Sequence, residues 1–442
     1  MLSATVASLF AGTLSDSLGR TRAIALGSFT FALGAAIEAG AANLGMLIAG
    51  RLVVGVGEGF FLSTIVVDGN GSYVCEISPP SKRGILASLV QLLISVGLCL
   101  GYFTCYGTTR IASSLSWRLP LALQAGIAMI LAFISYFCLP QSPRWLSYKG
   151  RHAEAVAAWD RLGVSSAERE KDLLESSAGR PGATAVPSPS GLMERWRRDV
   201  AQTMKIFAKD VRGQALLGIF MMSMQQLSGI DGVLYYAPVL FQQAGLSSSK
   251  AAFLASGVSA ILIVISSIPA FLLADRWGRR GSTIYGGIVL SLAMALMGTL
   301  YASHNVHADT GAGKWVVIIT IYVFAVAYNM TWALGVKIFA SEIQPVSTRA
   351  KAISLAQSAN CMTNFFVAFI TPVLLAHSSS GAYFMFAGTT ILTVIVCSIF
   401  MPETRGHSLE AINESFHHHV ASNSALIQGP RRVLQHIRAM VP

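Results

Sequence analysis

Uncharged amide side chains recur inside the apolar segments of this sequence. Gln225 and Gln226 are adjacent in one segment, Gln91 lies in another, and Asn360 and Asn364 stand four residues apart in a third. A spacing of four places two side chains on one face of a helix. An amide donates and accepts hydrogen bonds without carrying a charge, so a group of amides suits a molecule with many hydroxyl groups. We therefore expect these residues to bind a polyhydroxy compound; the alternative is that they join helices to one another.

Three charged side chains, Arg51, Asp231 and Lys337, also fall within apolar segments. An ionised side chain in the middle of a membrane costs roughly 2.5–3.5 kcal/mol on insertion scales, so such residues are rare and mark functional sites. We expect Asp231 and Lys337 to face one cavity, where they pair or where Lys337 holds an anionic substrate. The alternative for Lys337 is that its ammonium group reaches the membrane edge.

The elements that carry these residues are long apolar runs. Of the 442 residues, 53% are apolar and 12% are charged, against about 25% charged in an ordinary soluble domain. A transmembrane helix uses roughly 20 apolar residues. The composition excludes a soluble enzyme, a disordered chain and a disulfide scaffold, and the six cysteines are interpreted as reduced apolar residues. The runs predict eleven spans, at about 2–14, 23–40, 46–67, 85–106, 119–139, 213–240, 252–274, 283–302, 315–340, 352–374 and 382–401.

The distribution of basic residues predicts the orientation of these spans. Alternate loops hold 26 of the 32 lysines and arginines on one side and four on the other. The positive-inside rule places the loops that hold the 26 basic residues, together with the C-terminus, in the cytoplasm. The net charge of +11 is therefore an orientation signal, and we expect no nucleic-acid partner. We predict an N-terminal transmembrane half at 1–139, a cytoplasmic linker with short helices at 140–212, a C-terminal transmembrane half at 213–401 and a cytoplasmic tail at 402–442.

Three short motifs occur once in each half, at offsets of 259, 266 and 262 residues. Three matches near one offset indicate a duplicated unit. The motifs are Asp16-x-x-Gly19-Arg20 with Asp275-x-x-Gly278-Arg279, Glu76-x-x-Pro79 with Glu342-x-x-Pro345, and Pro140-x-Ser142-Pro143-Arg144 with Pro402-Glu403-Thr404-Arg405.

This set of motifs, together with Gln225-Gln226-x-Ser228-Gly229 and the tyrosines that follow, resembles the sugar porter family of the major facilitator superfamily, fungal members in particular. The resemblance runs from residue 1 to about residue 410. It implies an all-α integral membrane protein with two pseudo-symmetric helical halves that rock around a central site. By motif position, the family's sugar-binding amides match Gln91, Gln225, Gln226, Asn360 and Asn364. Asp231 stands where many members have Asn. Tyr235 and Trp332 are expected to stack on a pyranose ring or line a gate; the alternative for each is that it only packs against neighbouring helices.

The repeated charged motifs are interpreted as a cytoplasmic gate. A carboxylate at one helix end can pair with an arginine of the neighbouring half when the halves close, and several such pairs can bias a two-state equilibrium. The alternative is a basic collar that only fixes topology. The predicted gate residues are Asp16, Gly19, Arg20, Glu76, Arg83, Arg144, Asp275, Gly278, Arg279, Glu342, Arg349 and Glu403.

Three features depart from the family pattern. The family has twelve helices and residues 1–14 match the second, so we expect the first to be absent. In proton-coupled members an acidic residue of that first helix partners the arginine that matches Arg51; we expect Arg51 to be buried here, with Glu58 as a substitute partner. Lys337 occupies a position where the family usually has Trp. Residues 68–72 form a polar insert, which suggests a mis-spliced or mis-predicted product.

The resemblance implies a secondary transporter of a monosaccharide or polyol, with a proton as the coupling ion and no cofactor, metal or enzymatic activity. Arg51, Asp231 and Lys337 are the predicted coupling residues. We expect a monomer in the plasma membrane. The alternatives are a sugar-acid or quinate carrier, supported by Lys337, and a non-transporting sensor or inactive truncated product. A short tail after residue 402 argues against a sensor.

Overall fold

The computed structural model describes residues 1–67, 73–77, 83–163, 201, 203–208, 211–246, 249–273, 277–303, 312–345, 348–378, 380–405, 412 and 416. Within these ranges the chain is helical, with no strand. The first half contains α1 (Leu2–Leu18), α2 (Arg20–Ala39), α3 (Leu44–Leu62) followed by a π-helical turn (Ser63–Val67), α4 (Tyr73–Ile77), α5 (Arg83–Thr108) and α6 (Leu115–Phe137). Two short helices follow, α7 (Pro143–Tyr148) and α8 (His152–Arg161).

The second half contains α9 (Arg212–Leu227), α10 (Ile230–Tyr235), α11 (Ala237–Gln243), α12 (Ser249–Leu273), α13 (Arg279–Ala302), α14 (Ala312–Glu342), α15 (Arg349–His377) and α16 (Gly381–Phe400). Among the described residues, nine helices are long and apolar enough to cross a membrane. The other two predicted spans are α1, which has 17 residues, and 213–240, which is divided into α9, α10 and α11.

The division of the 213–240 segment has a packing cause. Gly229 has a φ of 88° and separates α9 from α10, a conformation that residues other than glycine rarely adopt. A Cβ at this position would lie 2.6 Å from the ring of Phe386 on α16. Pro238 then lies in the first turn of α11, where its missing N–H costs nothing.

The first half is held by close contact between α2 and α3. A Cβ on Gly57 would lie 2.4 Å from the backbone nitrogen of Phe31, and a Cβ on Gly34 would lie 2.5 Å from that of Val54. Glycines therefore bring the two backbones together, as small residues do in membrane helix packing. In the second half α13 packs between α14 and α16 around buried Phe, Met and Trp side chains.

The two halves meet along two seams, α1 against α15 and α5 against α12. The Oγ atoms of Ser8 and Ser358 are 2.7 Å apart in the first seam. In the second, Ser267 Oγ donates to Ser95 Oγ at 2.8 Å. Each seam is thus joined by a pair of hydroxyl groups.

The predicted linker is described only in part. Trp145 of α7 is buried, and its Nε1 donates to the carbonyl of Asp16 at 2.9 Å. This hydrogen bond holds α7 against the C-terminal end of α1. The flexible centre expected near residues 180–190, the 68–72 insert and most of the 402–442 tail lie outside the described residues.

Candidate functional site

Amide side chains of α9 and α15 form a connected network inside the second half. Gln225 Nε2 donates to the carbonyl of Trp332 on α14 at 2.8 Å, and Gln225 is almost fully buried. Asn360 Nδ2 donates to the carbonyl of Met222 at 2.7 Å and to Gln225 Oε1 at 3.3 Å. Gln226 Nε2 donates to Asn360 Oδ1 at 3.1 Å. The structure therefore brings three of the predicted amides together and uses Gln225 to join three helices.

One turn further along α15, Asn364 connects this network to α10. Its Nδ2 donates to Asp231 Oδ2 and, at 3.4 Å, to the hydroxyl of Tyr235. The break at Gly229 makes this arrangement possible, because α10 begins there and turns Asp231 toward α15. Tyr235 remains 47% exposed, so one face of its ring is open.

Lys337 of α14 acts electrostatically on Asp231. Within the described part of the chain, however, no hydrogen bond or ion pair joins their side chains. Direct pairing of the two side chains is therefore not observed, and the expectation that they face one cavity stays a prediction.

Two acceptors in this network have no donor. Gln226 Oε1 and Asn364 Oδ1 are buried and accept no hydrogen bond from the described residues. Buried carbonyl oxygens without a partner are rare in proteins and call for a water or a ligand. Glu58 of α3 also acts electrostatically on Tyr235, so the first half contributes an acidic side chain near this residue. Amides, a carboxylate and an open aromatic ring can bind a polyhydroxy compound by neutral hydrogen bonds and stacking.

The structure corrects the expectation for Trp332. This side chain has no exposed surface, and its Nε1 donates to the carbonyl of Thr283 on α13 at 2.9 Å. It therefore packs between α13 and α14, and only its backbone carbonyl contacts the amide network. A stacking or gating role for the Trp332 ring is wrong for this conformation.

Gln91 lies in a different polar environment. It lines a cavity of about 10 Å³ between α5, α12 and α14, together with Ser267 and Asn329. Asn329 Nδ2 donates to the Ile263 carbonyl at 2.9 Å and to Ser267 Oγ at 2.8 Å. No hydrogen bond between described residues joins the Gln91 side chain to the α9–α15 amides. The sequence did not predict this second group, because serines in apolar helices are common helix contacts.

Arg51 is neither buried nor paired with Glu58. Its side chain is 61% exposed, and its Nε lies 3.3 Å from Glu38 Oε1 of α2, a side chain that is 1% exposed. Glu38 is not among the residues predicted from the sequence, although an acidic residue inside the predicted 23–40 span is as unusual as Arg51 in its own span. The spacing along the chain could not reveal the pair, because the contact of α2 with α3 creates it.

Two ion pairs of the described gate residues each lie within one half. Arg20 Nη1 lies 2.7 Å from Asp16 Oδ1, and Arg279 Nη2 lies 3.4 Å from Glu342 Oε1. Thr404 Oγ1 donates to Glu342 Oε2 at 2.6 Å. The pairing of carboxylates with arginines between the halves stays a prediction. Asp275 and the side chains of Glu76, Arg83 and Arg144 lie outside the described residues.

Glu403 caps the helix that starts at Arg279. Burial opposes its ionisation, but backbone N–H groups of Arg279, Arg405, Arg280 and Thr404 outweigh burial and lower the pKa of Glu403. Gly278, with a φ of 73°, precedes that helix, and Gly19, with a φ of 92°, precedes α2. Arg349 instead donates to the Gln344 carbonyl, from Nη2 at 2.9 Å. The described residues contain no group of three or more His, Cys, Asp or Glu that could hold a metal ion.

Comparison with known proteins gives consistent results. A family model described as "Sugar (and other) transporter" matches residues 1–416. The chain is 32% identical over 417 residues to the MFS-type transporter criB of Aspergillus cristatus, covering 93% of this chain and 81% of that protein. It is 29% identical over 439 residues to sugar transport protein MST7 of Oryza sativa subsp. japonica, covering 98% of this chain and 81% of that protein.

The fold is similar to solved structures of one bacterial protein. The proton:xylose symporter XylE bound to 6-bromo-6-deoxy-D-glucose superposes with a TM-score of 0.73 at 23% identity, over 93% of this chain and 86% of that one. The xylose transporter XylE from E. coli in a partially occluded inward-open conformation superposes with a TM-score of 0.71 at 22% identity, over 92% of this chain and 86% of that one. At this level of identity the superpositions establish the shared fold.

Proposed function

Because the chain belongs to the sugar (and other) transporter family, we propose that this integral membrane protein moves a monosaccharide or polyol across a membrane by alternating access, with a proton as the coupling ion. The observation that carries the substrate class is the pair of buried acceptors, Gln226 Oε1 and Asn364 Oδ1, that receive no hydrogen bond from the described residues. Substrate hydroxyl groups would donate to them, and neutral donors and acceptors suit a neutral polyhydroxy molecule.

The surrounding residues support the same substrate class. Gln225 is occupied by the Trp332 carbonyl and by Asn360, so it fixes the network and leaves Gln226 to contact the substrate. The exposed ring of Tyr235 offers an apolar surface for the carbon skeleton of a sugar. Asn364 donates to Oδ2 of Asp231, which leaves Oδ1 of Asp231 to accept a hydrogen bond from a substrate hydroxyl group.

The architecture supports alternating access. Between described residues, the seams contain the hydroxyl pairs, a contact from Lys351 Nζ to Thr13 Oγ1 at 3.2 Å and a hydrogen bond from the Tyr102 hydroxyl to the Phe253 carbonyl at 2.7 Å. Such hydrogen bonds contribute only about 1 kcal/mol each, so they can break and reform as the halves rock. The helix break at Gly229 lies beside the proposed site, where a change in the backbone at this glycine can accompany substrate binding.

Coupling to a proton is supported by the charges around the site. Asp231 lies in a span, and Lys337 acts on it without touching it. Movement of Lys337 toward or away from Asp231 would favour the ionised or the protonated carboxyl. XylE, which shares the fold, is named as a proton:xylose symporter, and proton coupling is the corresponding proposal here.

The orientation and location belong to the same proposal. The excess of basic residues in alternate loops favours a cytoplasmic C-terminus. We place the protein in the plasma membrane as a monomer, the simplest state in which one chain supplies both halves of the site.

The test is radiolabelled uptake in a yeast that lacks its own hexose transporters, expressing this chain. A panel of hexoses, pentoses, polyols and quinate is measured with and without an uncoupler. We expect uptake of at least one neutral sugar or polyol, abolished by the uncoupler. Uptake that survives the uncoupler would contradict coupling. Uptake of quinate alone, or no uptake with the protein present at the membrane, would contradict the substrate class.

A further inference from the structure

Glu38 is a carboxylic acid enclosed near one end of the first half. It is the penultimate residue of α2, in the helix Arg20–Ala39 that is long and apolar enough to cross a membrane. Only 1% of its surface is exposed. A carboxylate that loses water must gain a partner or a proton.

The packing of α2 on α3 keeps Glu38 in place. A Cβ on Gly50 would lie 2.6 Å from Glu38 Cγ, so the glycine provides the space in which the side chain lies. Four residues earlier on α2, Gly34 is in backbone contact with Val54 of α3. The backbones of two helices therefore flank the Glu38 side chain.

The positive charge beside Glu38 belongs to Arg51 of α3. Arg51 Nε lies 3.3 Å from Glu38 Oε1, but the Arg51 side chain is 61% exposed. Glu38 Oε1 accepts no hydrogen bond from the described residues. The pair is thus a contact between an enclosed carboxyl group and an arginine whose side chain is mostly not covered by the described residues.

The other elements packed on α2 add little charge near this carboxyl group. From α6, Arg118 Nη2 donates to the Ala41 carbonyl at 2.9 Å, just beyond the end of α2. The acidic residue of α1 is Asp16, at the opposite end of the bundle. Arg51 is the charged group that acts on Glu38.

We propose that Glu38 is a proton-binding site of the transport cycle and that Arg51 is its exchangeable counter-ion. With Arg51 in contact, the carboxyl group is ionised. When Arg51 moves away, an oxygen of Glu38 takes a proton from water and an O–H bond forms. When the halves rock and Arg51 returns, that bond breaks and the proton leaves to water on the other side. The inference rests on the proposed proton coupling and names a residue that carries the ion.

The experiment compares Glu38→Gln with Glu154→Gln in reconstituted liposomes. Glu154 is a matched control, because it also pairs with an arginine, Arg151, but both side chains are exposed. Net accumulation driven by a pH gradient and substrate exchange at equal pH are measured for each. We expect Glu38→Gln to lose accumulation and its pH dependence while exchange stays at the wild-type rate, and Glu154→Gln to keep all three. Wild-type accumulation with a wild-type pH profile in Glu38→Gln would overturn the proposal.

A direct measurement separates this inference from the proposed function. Infrared spectra of the purified protein across a pH series report the C=O band of a protonated carboxyl group in an apolar environment. We expect such a band to titrate in the wild type and to be missing in Glu38→Gln, whatever the substrate.

If the wild type transports nothing but the Glu38 band titrates, the proposed function fails and the proton site stands. If the bands of the two proteins are identical, the site is wrong. Should Glu38→Gln fold poorly, Glu38→Asp keeps the acid, and the expected result is a shifted titration.

Discussion

Glu403 Oε1 accepts the backbone N–H of Arg279 at 2.8 Å. The N–H of Arg280 donates to the other carboxylate oxygen at 3.2 Å. One side chain beyond α16 therefore completes the first turn of α13. In the first half, the matching motif has Gln141, whose Oε1 lies 2.7 Å from where a Cβ on Gly19 would be. Gln141 Oε1 accepts no hydrogen bond from the described residues. Within the described ranges, only the second half therefore has a side chain that caps the helix start, and its negative charge interacts favourably with the helix dipole.

Replacing Glu403 by Gln should destabilise the protein near neutral pH and have little effect in acid. The pKa of Glu403 is lowered in the folded state, so its ionisation stabilises the fold above the unfolded value, about 4.3. That contribution is lost as the pH falls through the lowered pKa. A cap of this kind contributes about 1 kcal/mol. Thermal melting in detergent from neutral to acid pH measures it, with Glu154→Gln as the exposed control. A constant difference at all pH values would contradict this account.

The adjacent glutamines should behave differently when replaced by Ala. Gln225→Ala leaves the buried Trp332 carbonyl without a donor, which costs about 1–3 kcal/mol of stability. Gln226→Ala removes an acceptor assigned to the substrate, which should raise the KM for uptake by about tenfold, or 1.4 kcal/mol. It also leaves Asn360 Oδ1 without its donor, so the melting temperature should fall as well. The KM for uptake therefore separates the two variants, and an unchanged KM in Gln226→Ala would show that this side chain does not contact the substrate.

Asp231 and Lys337 should be energetically coupled although they do not touch. Lys337→Met leaves the charge of Asp231 without its compensating cation, and Asp231→Asn does the reverse, so each should weaken substrate exchange. The double variant removes both charges and should recover part of the loss. A coupling energy of about 0.5–3 kcal/mol is typical of interacting residues. Initial exchange rates of the four proteins give the cycle. Strictly additive effects would place the two residues in separate environments.

The glycine contacts between α2 and α3 make a prediction about stability. Gly57→Ala places a Cβ 2.4 Å from the Phe31 nitrogen, and overpacking of this kind costs about 1–3 kcal/mol. Gly101→Ala on α5 meets no atom within 4 Å and should be neutral or stabilising, by up to about 1 kcal/mol of helix propensity. Melting temperature and the yield of folded protein compare the pair. Similar values for both would mean that α2 and α3 can separate at little cost.

The sequence predicted the helical class, the duplicated halves and most of the α9–α15 network, because each depends on local patterns. The repeated glycines at Gly19 and Gly278 mark the same helix junction in both halves, and a four-residue spacing placed Asn360 and Asn364 on one face. The break at Gly229 was missed, since a glycine in an apolar run does not interrupt a membrane helix by itself. Phe386, 157 residues further along the chain, occupies the space that a side chain would need there.

Two errors share another cause. Trp332 lies in α14, a long and mostly apolar helix, so its residue pattern does not indicate which face contacts α13 and which faces the amides. Arg51 was recognised as a charge in a span, but its partner depends on how closely α2 approaches α3. Distances between helices that are far apart in sequence are set by packing, and a single sequence does not display them.

The uneven distribution of glycine contacts has a mechanical consequence. In the first half, Gly34 and Gly57 lock two helices backbone to backbone, which leaves no slack between them. In the second half, the chain from α9 to α11 bends at Gly229 and again beside Pro238. We therefore expect the first half to move as a rigid body, and the second half to undergo most of the change in shape when a solute binds.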